Sequence, residues 1–278
     1  MILESIPQSL LDVISSHAAL AVAVSGGVDS MVLAHVVHAH TPTRLVAFHA
    51  TSPAVPAAAT ERVKAHAARC GWDLHLIDAQ ELADPAYQAN PVDRCFYCKS
   101  RLYGRMSHLT DLPMASGTNL DDLGDYRPGL VAAREAGVVH PFVAAGLCKI
   151  AIYAIARLLG LDDLAALPAQ PCLASRIETG IHVDADTLAF IERAELRLAE
   201  LLPPGSTLRC RMTARGVVIE TAPFPAPSVQ ARIDAEIGAL CRAARRPYAG
   251  SRTYHRGSAF LHPEKTEGAS ASGGVRLR

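Results

Sequence analysis

The feature that most constrains this chain is a short apolar run that passes directly into two glycines and then into an amphipathic segment. The run is Leu20–Val24, the glycines are Gly26 and Gly27, and Asp29 and Ser30 stand where a helix would begin. Glycine permits positive φ and lets backbone N–H groups reach a ligand. The first N–H groups of a helix lack partners, and the helix dipole favours an anion beside them. The stretch therefore predicts a strand, a tight loop and a helix that together form an anion site.

The loop reads S-G-G-x-D-S, which is neither of two familiar nucleotide-binding patterns. No lysine follows the glycines as in G-x-x-x-x-G-K-[ST], and the spacing is not G-x-G-x-x-G. The pattern instead resembles the pyrophosphate loop of the ATP pyrophosphatase superfamily. That resemblance implies that ATP is bound by Ser25, Gly26, Gly27, Asp29 and Ser30. An ordinary glycine turn is the alternative, but the strand–helix context favours a phosphate loop.

Strands and helices continue to alternate after this loop. Arg44–His49, Trp72–Asp78, Met114–Gly117 and Val138–Phe142 are patterned as strands, and helical segments separate them. Such alternation predicts a parallel sheet with helices on both faces, and ligands of such sheets bind at the carboxyl ends of the strands. We therefore predict an α/β, Rossmann-like domain with a parallel sheet over residues 1–180. The resemblance of the loop implies that this is a pyrophosphatase domain of the adenine nucleotide α-hydrolase type.

The pattern changes near Asp184. Asp184–Leu201 is patterned as a helix with an acidic start, and Thr207–Glu220 alternates around a turn, which predicts a β-hairpin. We predict a small C-terminal α+β domain over residues 181–262 that binds substrate or mediates oligomerisation. Residues 263–278 are rich in Gly, Ser and charged residues, and we expect a disordered tail there.

Composition excludes some classes of protein. Lys and Arg total 27, as do Asp and Glu, so the chain has no net charge with which to bind nucleic acid or a membrane surface. No apolar run approaches the ~20 residues of a membrane helix, and the N-terminus has no signal-peptide pattern. We expect a cytoplasmic homo-oligomer that acts on a small-molecule nucleotide. In that compartment the seven cysteines are not expected to form disulfides.

A second polar motif lies at the end of the predicted strand Met114–Gly117. Gly117 would let a nucleotide approach the backbone, while Thr118, Asn119 and Asp122 supply polar contacts. Oxygen ligands beside a triphosphate suit Mg²⁺. The alternative is a helix N-cap with an acidic first turn. The glycine loop in the same sheet favours a nucleotide and Mg²⁺.

Cys95 and Cys98 form a Cys-x-x-Cys motif in Asn90–Lys99, which we interpret as a polar loop with a helix after it. Cys172 lies in a similar loop flanked by proline. A redox pair would need a thioredoxin-like setting, and a structural zinc site usually takes four ligands. Three thiolates could hold an iron–sulfur cluster, and two adjacent core cysteines are the alternative. Arg176 would lower the pKa of the Cys172 thiol, and with Ser175 it could hold a phosphate. The remaining cysteines are interpreted as small buried residues: Cys70, Cys148, Cys210 and Cys241.

Arg209 and Arg211 are two residues apart on a predicted strand, so their side chains share one face of the sheet. Two guanidinium groups on one face suit an anionic ligand. The alternative is a solvated strand face, which the two arginines by themselves would favour.

Five segments together resemble the LarE family, the ATP-dependent sulfur transferases of nickel-pincer nucleotide cofactor synthesis. The segments are Ser25–Ser30, Arg94–Lys99, Gly117–Asp122, Pro171–Arg176 and Tyr254–Ser258. The resemblance implies adenylation of a carboxylate of pyridinium-3,5-biscarboxylic acid mononucleotide and insertion of sulfur to give a thiocarboxylate. It also implies that Ser175, Arg176, Arg209 and Arg211 bind the phosphate of that substrate.

Two sources of sulfur are implied by this resemblance. In one form of the family, the cysteine at the position of Cys172 gives up its own sulfur and becomes dehydroalanine. In the other form, cysteines at the positions of Cys95, Cys98 and Cys172 hold a [4Fe–4S] cluster that can carry an extra sulfide. This chain has all three, so the resemblance implies a cluster, with these cysteines and Asp29 as catalytic residues.

Three other functions stay open from the sequence. Within the superfamily they are an amidotransferase or synthetase that uses ammonia, and a tRNA-thiolation enzyme. A strongly basic domain would favour the tRNA enzyme, and the charge balance of the chain does not. The non-enzymatic alternative is a nucleotide-binding sensor that keeps the loop without turnover.

Overall fold

The computed structural model describes residues 3–124, 127–168, 170–255 and 257–260. Within these ranges the first sheet has the order β3-β2-β1-β4, and every pairing in it is parallel. Its strands are β1 (Ala19–Ala23), β2 (Arg44–Ala50), β3 (Asp73–Ile77) and β4 (Met114–Ser116). The predicted Rossmann-like parallel sheet is therefore confirmed. The predicted tail lies outside the described residues.

Eleven α-helices are formed by the part of the chain that is described. They are α1 (Gln8–Ser15), α2 (Val28–His40), α3 (Ala57–Cys70), α4 (Pro85–Gln88), α5 (Arg94–Ser107), α6 (Pro128–Glu135), α7 (Pro141–Ala144), α8 (Lys149–Leu158), α9 (Asp162–Ala165), α10 (Ala185–Leu201) and α11 (Pro227–Ala243). None of these described helices combines the length and the apolarity that crossing a membrane would require.

Strand β1 shows how the sheet is covered on both faces. Successive side chains of a strand point to opposite faces. Leu20 and Val22 pack into a core formed with α1, α2, α3 and α8, whereas Ala21 and Ala23 pack into a separate core with α5 and α6. Because both faces are buried, the strand is continuously apolar rather than alternating.

A second sheet forms the small C-terminal α+β unit. It has the order β5-β6-β7, with β5 (Thr207–Thr213) antiparallel to β6 (Gly216–Ala222), and β6 parallel to β7 (Tyr248–Thr253). The predicted hairpin is thus confirmed, and α10 and α11 cover the sheet in an apolar core that also includes Ala54 and Tyr87. Of the cysteines interpreted as small buried residues, Cys210 and Cys241 are buried, and Cys70 and Cys148 are half-buried.

Two local predictions were wrong. Residues 138–142 do not form a strand: Val139 makes one isolated bridge to Ala115, and Pro141 then begins α7. Proline has no N–H for a ladder and fits the first turn of a helix. Cys95 and Cys98 lie in the first two turns of α5 rather than in a loop, because the turn at Pro91 leads directly into that helix.

Candidate functional site

The loop between β1 and α2 is closed by its two serines. The Ser25 N–H donates to Ser30 Oγ at 3.0 Å, and the Ser30 hydroxyl donates to the Gly27 carbonyl at 3.1 Å. Ser30 is buried while Ser25 is exposed, so the loop is held on the side of the protein interior and is open to solvent on the other side. The N-terminus of α2 follows at Val28, where unpaired N–H groups and the helix dipole favour an anion.

Two glycines are required here by the backbone itself. Gly26 has a φ of +81°, and a Cβ on it would lie 2.7 Å from the Ala59 carbonyl oxygen. A Cβ on Gly117 would lie 2.6 Å from the Ser30 nitrogen. Since Gly117 follows β4 and Ser30 lies in α2, this close approach brings both predicted nucleotide motifs together at the carboxyl end of the sheet.

Helix α3 and strand β2 fix the loop from the other side. Arg62 Nη1 donates to the Gly26 carbonyl at 2.8 Å and to Gln170 Oε1 at 3.2 Å. His49 Nδ1 donates to the Val24 carbonyl at 2.7 Å, and its Nε2 accepts from Thr60 Oγ1 at 2.9 Å. Burial lowers the pKa of His49, which fits the neutral ring that these two contacts require.

The motif after β4 serves in part as a cap. Asn119 Oδ1 accepts from the Asp121 N–H at 3.0 Å, and Asp122 Oδ2 accepts from the Asn119 N–H at 3.1 Å. Thr118 Oγ1 lies 3.0 Å from Ser116 Oγ. The capping interpretation is therefore correct for Asn119 and Asp122, and their place beside the loop leaves a nucleotide contact open as a prediction.

An ion pair connects the two motifs. Lys149, the first residue of α8, donates from Nζ to Asp29 Oδ2, and the Lys149 N–H donates to Asp121 Oδ2 at 2.8 Å. The other carboxylate oxygen, Asp29 Oδ1, is buried and has no hydrogen-bond partner among the described residues. Burial raises the pKa of Asp29, although the Lys149 ammonium opposes that shift.

These carboxylates fit a magnesium ion. Asp29 keeps one oxygen unpaired, and a negative charge on Asp122 is near enough to raise the pKa of Asp29 further. Mg²⁺ commonly takes one or two carboxylates together with phosphates and water. Asp29 would hold it beside a bound triphosphate. Asp122 accepts from the Asn119 N–H at 3.1 Å and pairs with Arg127 at 2.9 Å, so it would have to exchange a partner to join.

The three predicted cysteines lie in one neighbourhood. A negative charge on Cys172 would raise the pKa of both Cys95 and Cys98. Burial raises the pKa of the Cys95 thiol, and it raises the pKa of Cys98 to about 12. Arg94 and Lys99 oppose the shift at Cys95, so the thiols lie among cations as well as apolar groups.

An iron–sulfur cluster fits these residues in donor type, because all three are thiols. Within the described ranges, however, no three His, Cys, Asp or Glu side chains are grouped so that they could hold a metal ion between them. The cysteines are therefore neighbours without forming a ready-made ligand set, and the cluster stays a prediction.

The guanidinium of Arg176 already donates its hydrogen bonds to groups of the protein itself. Its Nε and Nη2 donate to the Glu195 carboxylate at 3.0 and 2.9 Å, and its Nη1 donates to the Pro171 carbonyl at 2.7 Å and the Cys172 carbonyl at 3.2 Å. The Ser175 hydroxyl accepts from the same Nη1 at 3.1 Å. Arg176 is buried. In this arrangement it positions the Cys172 loop, and a phosphate contact would require it to exchange partners.

The two arginines of β5 have different surroundings. Arg211 is buried, and it donates to Glu220 Oε2 at 2.8 Å and to the Ser175 carbonyl at 3.0 Å. The Arg209 guanidinium lies 5.8 Å from the centre of the Tyr254 ring. Desolvation, with the nearby Arg176 charge second, lowers the pKa of Arg209. The substrate-phosphate role of Ser175, Arg176, Arg209 and Arg211 remains a prediction.

Sequence reasoning missed Lys149, Arg62 and Glu195. Lys149 carried one signal: a lysine at the first position of a helix opposes the helix dipole unless an anion is near. Arg62 and Glu195 lie on ordinary amphipathic helices. Nothing in their local sequence indicates the loops that they contact.

Fold and site together define a Rossmann-like α/β protein whose glycine loop, Ser25–Ser30, lies at the carboxyl end of its parallel sheet. No family model matches the chain. It is 38% identical over 185 residues to a Synechocystis sp. protein described as uncharacterized protein slr1717, covering 65% of this chain and 68% of that protein. The chain belongs to the family of this Synechocystis protein.

Two further relatives are more distant. The chain is 28% identical over 195 residues to pyridinium-3,5-bisthiocarboxylic acid mononucleotide synthase of Lactiplantibacillus plantarum, covering 68% of this chain and 70% of that protein. It is 26% identical over 178 residues to the uncharacterized protein MJ0830 of Methanocaldococcus jannaschii, covering 63% of this chain and 67% of that protein. The similarity to the synthase supports a LarE-like enzyme.

Proposed function

We propose that this protein is an ATP-dependent sulfurtransferase that adenylates a carboxylate of pyridinium-3,5-biscarboxylic acid mononucleotide and replaces an oxygen by sulfur. The observation that carries the proposal is the double contact of Arg62. One guanidinium nitrogen joins the Gly26 carbonyl of the phosphate loop to Gln170, two residues before Cys172. A single side chain thus connects the candidate nucleotide loop to the segment that leads to the candidate sulfur donor.

The first step activates a poor electrophile. A carboxylate would have to expel oxide, so one of its oxygens attacks the α-phosphorus of ATP and pyrophosphate leaves. The N–H groups at the start of α2 would donate to the departing phosphates, which is electrostatic stabilisation by prearranged donors. Mg²⁺, when held by Asp29, would neutralise phosphate charge there.

The second step transfers sulfur. A sulfur nucleophile attacks the acyl carbon, the C–S bond forms, and the C–O bond to AMP breaks. If Cys172 is the donor, loss of its Cα proton and cleavage of its Cβ–S bond leave dehydroalanine on the chain and a thiocarboxylate on the product. A cluster held by Cys95, Cys98 and Cys172 would instead supply the sulfur as sulfide.

The test follows products and protein mass together. Purified protein is incubated anaerobically with ATP, Mg²⁺ and the dicarboxylate mononucleotide, and AMP, pyrophosphate and thiocarboxylate are quantified. We expect all three products, and Cys172→Ala should lose the thiocarboxylate. Cys241→Ala, which removes a thiol from the core of the small domain, serves as the matched control.

The same experiment separates the alternatives. Loss of the mass of one hydrogen sulfide from the chain would indicate donation by Cys172, whereas iron and sulfide in the anaerobic protein would favour a cluster. An amide product after addition of ammonia would indicate a synthetase. Absence of AMP and pyrophosphate with every substrate would overturn the proposal.

A further inference from the structure

A cavity of about 520 Å³ lies at the carboxyl ends of β2 and β3, on the side of the phosphate loop where β2 pairs with β1. Parallel α/β sheets bind their ligands at this edge. The side chains that line the cavity are partly polar and partly apolar, and they include Ser52, Pro53, Asp78, Glu81, Leu82 and Ala83. The cavity therefore offers room for part of a ligand next to the loop Ser25–Ser30.

Glu81 is the unusual group in this lining. It is 4% exposed, its carboxylate accepts from the Ser52 hydroxyl, and it forms no ion pair within the described part of the chain. Buried carboxylates are ordinarily paired with a cation, because removing a charge from water is costly. Glu220, which is also buried, follows this rule with Arg211 and Arg252. Glu81 thus lacks the cation that a carboxylate at such burial calls for.

Hydrogen bonds connect the wall of the cavity to the Cys172 loop. The Ala54 N–H donates to Ser52 Oγ at 3.0 Å, and the Leu173 N–H donates to the Ala54 carbonyl at 2.8 Å. Ser52 is the residue that donates to Glu81, and Leu173 directly follows Cys172. A ligand group held against Glu81 would therefore lie near the candidate sulfur donor.

The lining indicates the chemistry of the ligand. Asp78 adds a second carboxylate, and no lysine or arginine belongs to the lining among the described residues, so a positive charge is favoured over an anion such as phosphate. The apolar side chains of the lining suit the faces of a flat ring. We propose that this cavity binds a cationic heteroaromatic ring and that Glu81 pairs with its positive charge.

The inference rests on the proposed function, because the substrate proposed there is a mononucleotide of a pyridinium ring. The positive charge of that ring would face Glu81, and its carboxylates would have to point away from Glu81, since like charges repel. Glu81 would thus select a pyridinium ring over a neutral one and orient the ring relative to the Cys172 loop.

The experiment compares two forms of one ligand by calorimetry. Pyridinium-3,5-biscarboxylic acid mononucleotide carries the ring charge, whereas its 1,4-dihydropyridine form has the same substituents and an uncharged ring. Wild-type protein should bind the pyridinium form about ten- to a hundredfold more tightly, because only this form makes a charged contact. Glu81→Gln, which keeps the shape and removes the charge, should lose the preference and leave Mg·ATP affinity unchanged.

Glu135→Gln is the matched control, because Glu135 is the exposed last residue of α6, and it should keep the preference. Thermal unfolding establishes that each variant folds, and the wild-type comparison remains decisive if Glu81→Gln does not. Equal binding of the two forms by the wild-type protein, or binding of neither, would overturn the inference. An unchanged preference in folded Glu81→Gln would overturn it too, and weaker Mg·ATP binding there would assign the cavity to ATP instead.

The same ligands separate this inference from the proposed function. Thiocarboxylate formation without a preference for the charged ring would overturn the inference alone. A preference that depends on Glu81, without AMP, pyrophosphate or thiocarboxylate, would support the cavity as a site for a cationic ring and overturn the proposed function.

Discussion

The charged groups at the carboxyl end of the first sheet and those of the small domain are paired in different ways. In the small domain, Glu220 is fully buried and accepts from Arg211, Arg252 and Ser258 at 2.8 to 2.9 Å. Beside the phosphate loop, Asp29 has one partner and one buried oxygen that lacks any in the described structure. Residues of the same chemical type thus form a closed network in one place and an open one in the other.

The difference separates two roles for charge. A closed network fixes geometry, because each donor already has its acceptor and removing one member exposes the others. An open network destabilises the unliganded protein, because a buried polar atom lacks a partner. A ligand that supplies the missing partner removes this cost. The loop Ser25–Ser30 is therefore the better candidate for binding a ligand. The network around Glu220 is the better candidate for positioning the Cys172 loop, because Arg211 also donates to the Ser175 carbonyl.

The largest expected effect is on activity and comes from the open network. Asp29→Ala should abolish pyrophosphate release, because it removes the carboxylate that would hold Mg²⁺. It should change the free energy of unfolding by less than about 1 kcal/mol, since the pair with Lys149 is partly exposed. A pyrophosphate assay and urea unfolding measure the two quantities, with the exposed Asp12→Ala as control. Normal pyrophosphate release would show that Asp29 has no part in the reaction.

The closed network should respond in the opposite way. Glu220→Ala leaves the buried Arg211 charge without its carboxylate, and we expect a loss of about 3–5 kcal/mol in the free energy of unfolding. Glu200→Ala, which breaks an exposed pair with Arg197, should cost less than about 1 kcal/mol. Urea unfolding compares the two variants. A similar small loss in both would mean that the network around Glu220 is not closed in solution.

The carboxylate of Glu220 should also make the free energy of unfolding depend on pH, and the direction of its pKa shift gives the sign. Burial alone would raise the pKa of Glu220, but Arg211, Ser258 and Arg252 hold it below its ordinary value of 4.5. A carboxylate with a lowered folded-state pKa stabilises the protein above its unfolded pKa and loses that contribution as the pH falls. The stability difference between wild type and Glu220→Gln should therefore shrink below about pH 4.5. A difference that stays constant in urea unfolding down to acid pH would contradict this cause.

The next largest effect is expected on the affinity for substrate when Arg209 or Arg211 of β5 is replaced. Arg209→Ala should weaken binding of the mononucleotide by about 1.5–3 kcal/mol, the range for a charged hydrogen bond, and leave ATP affinity unchanged. Arg211→Ala should lower both substrate affinity and stability, because Arg211 also bonds Glu220 and the Ser175 carbonyl. Calorimetry with each ligand measures this, and the exposed Arg215→Ala is the control. Equal losses for ATP and substrate would indicate a shared site or misfolding.

Much of the fold could be predicted because its signals are local. The continuous apolar run of β1, the two glycines after it and the hairpin of the small domain each carry their own pattern within about ten residues. The start of α5 was misjudged because a proline turn and a polar helix share the same residue types. The short segment at 138–142 is apolar, but Pro141 ends its pairing after a single bridge.

The candidate site was predictable only in part, because its partners are set by tertiary structure. The motif residues of the phosphate loop could be named, whereas the contact of Lys149 with Asp29 spans 120 positions. Arg176 was predicted as a phosphate ligand from its type, yet its guanidinium is occupied by Glu195 and two backbone carbonyls. Residue type indicates what a side chain can bind, and only packing determines which partner it already has.

The smallest expected effect is on the free energy of unfolding, and it compares an unpaired tyrosine hydroxyl with a paired one. Tyr87 is buried beside Cys98 and Cys172, and its hydroxyl has no hydrogen-bond partner among the residues described. Tyr248 donates its hydroxyl to Asp234 at 2.6 Å in the small domain. Removing an unpaired buried hydroxyl relieves a desolvation cost, whereas removing a paired one loses a hydrogen bond.

Tyr87→Phe should therefore leave the free energy of unfolding unchanged or raise it by up to about 1 kcal/mol, and Tyr248→Phe should lower it by about 1 kcal/mol. Urea unfolding of the two variants under one condition measures the difference in sign. A loss of stability in Tyr87→Phe would mean that its hydroxyl has a partner in solution, such as an ordered water or a cysteine sulfur. The neighbourhood of Cys98 and Cys172 would then be a closed network, like that of Glu220.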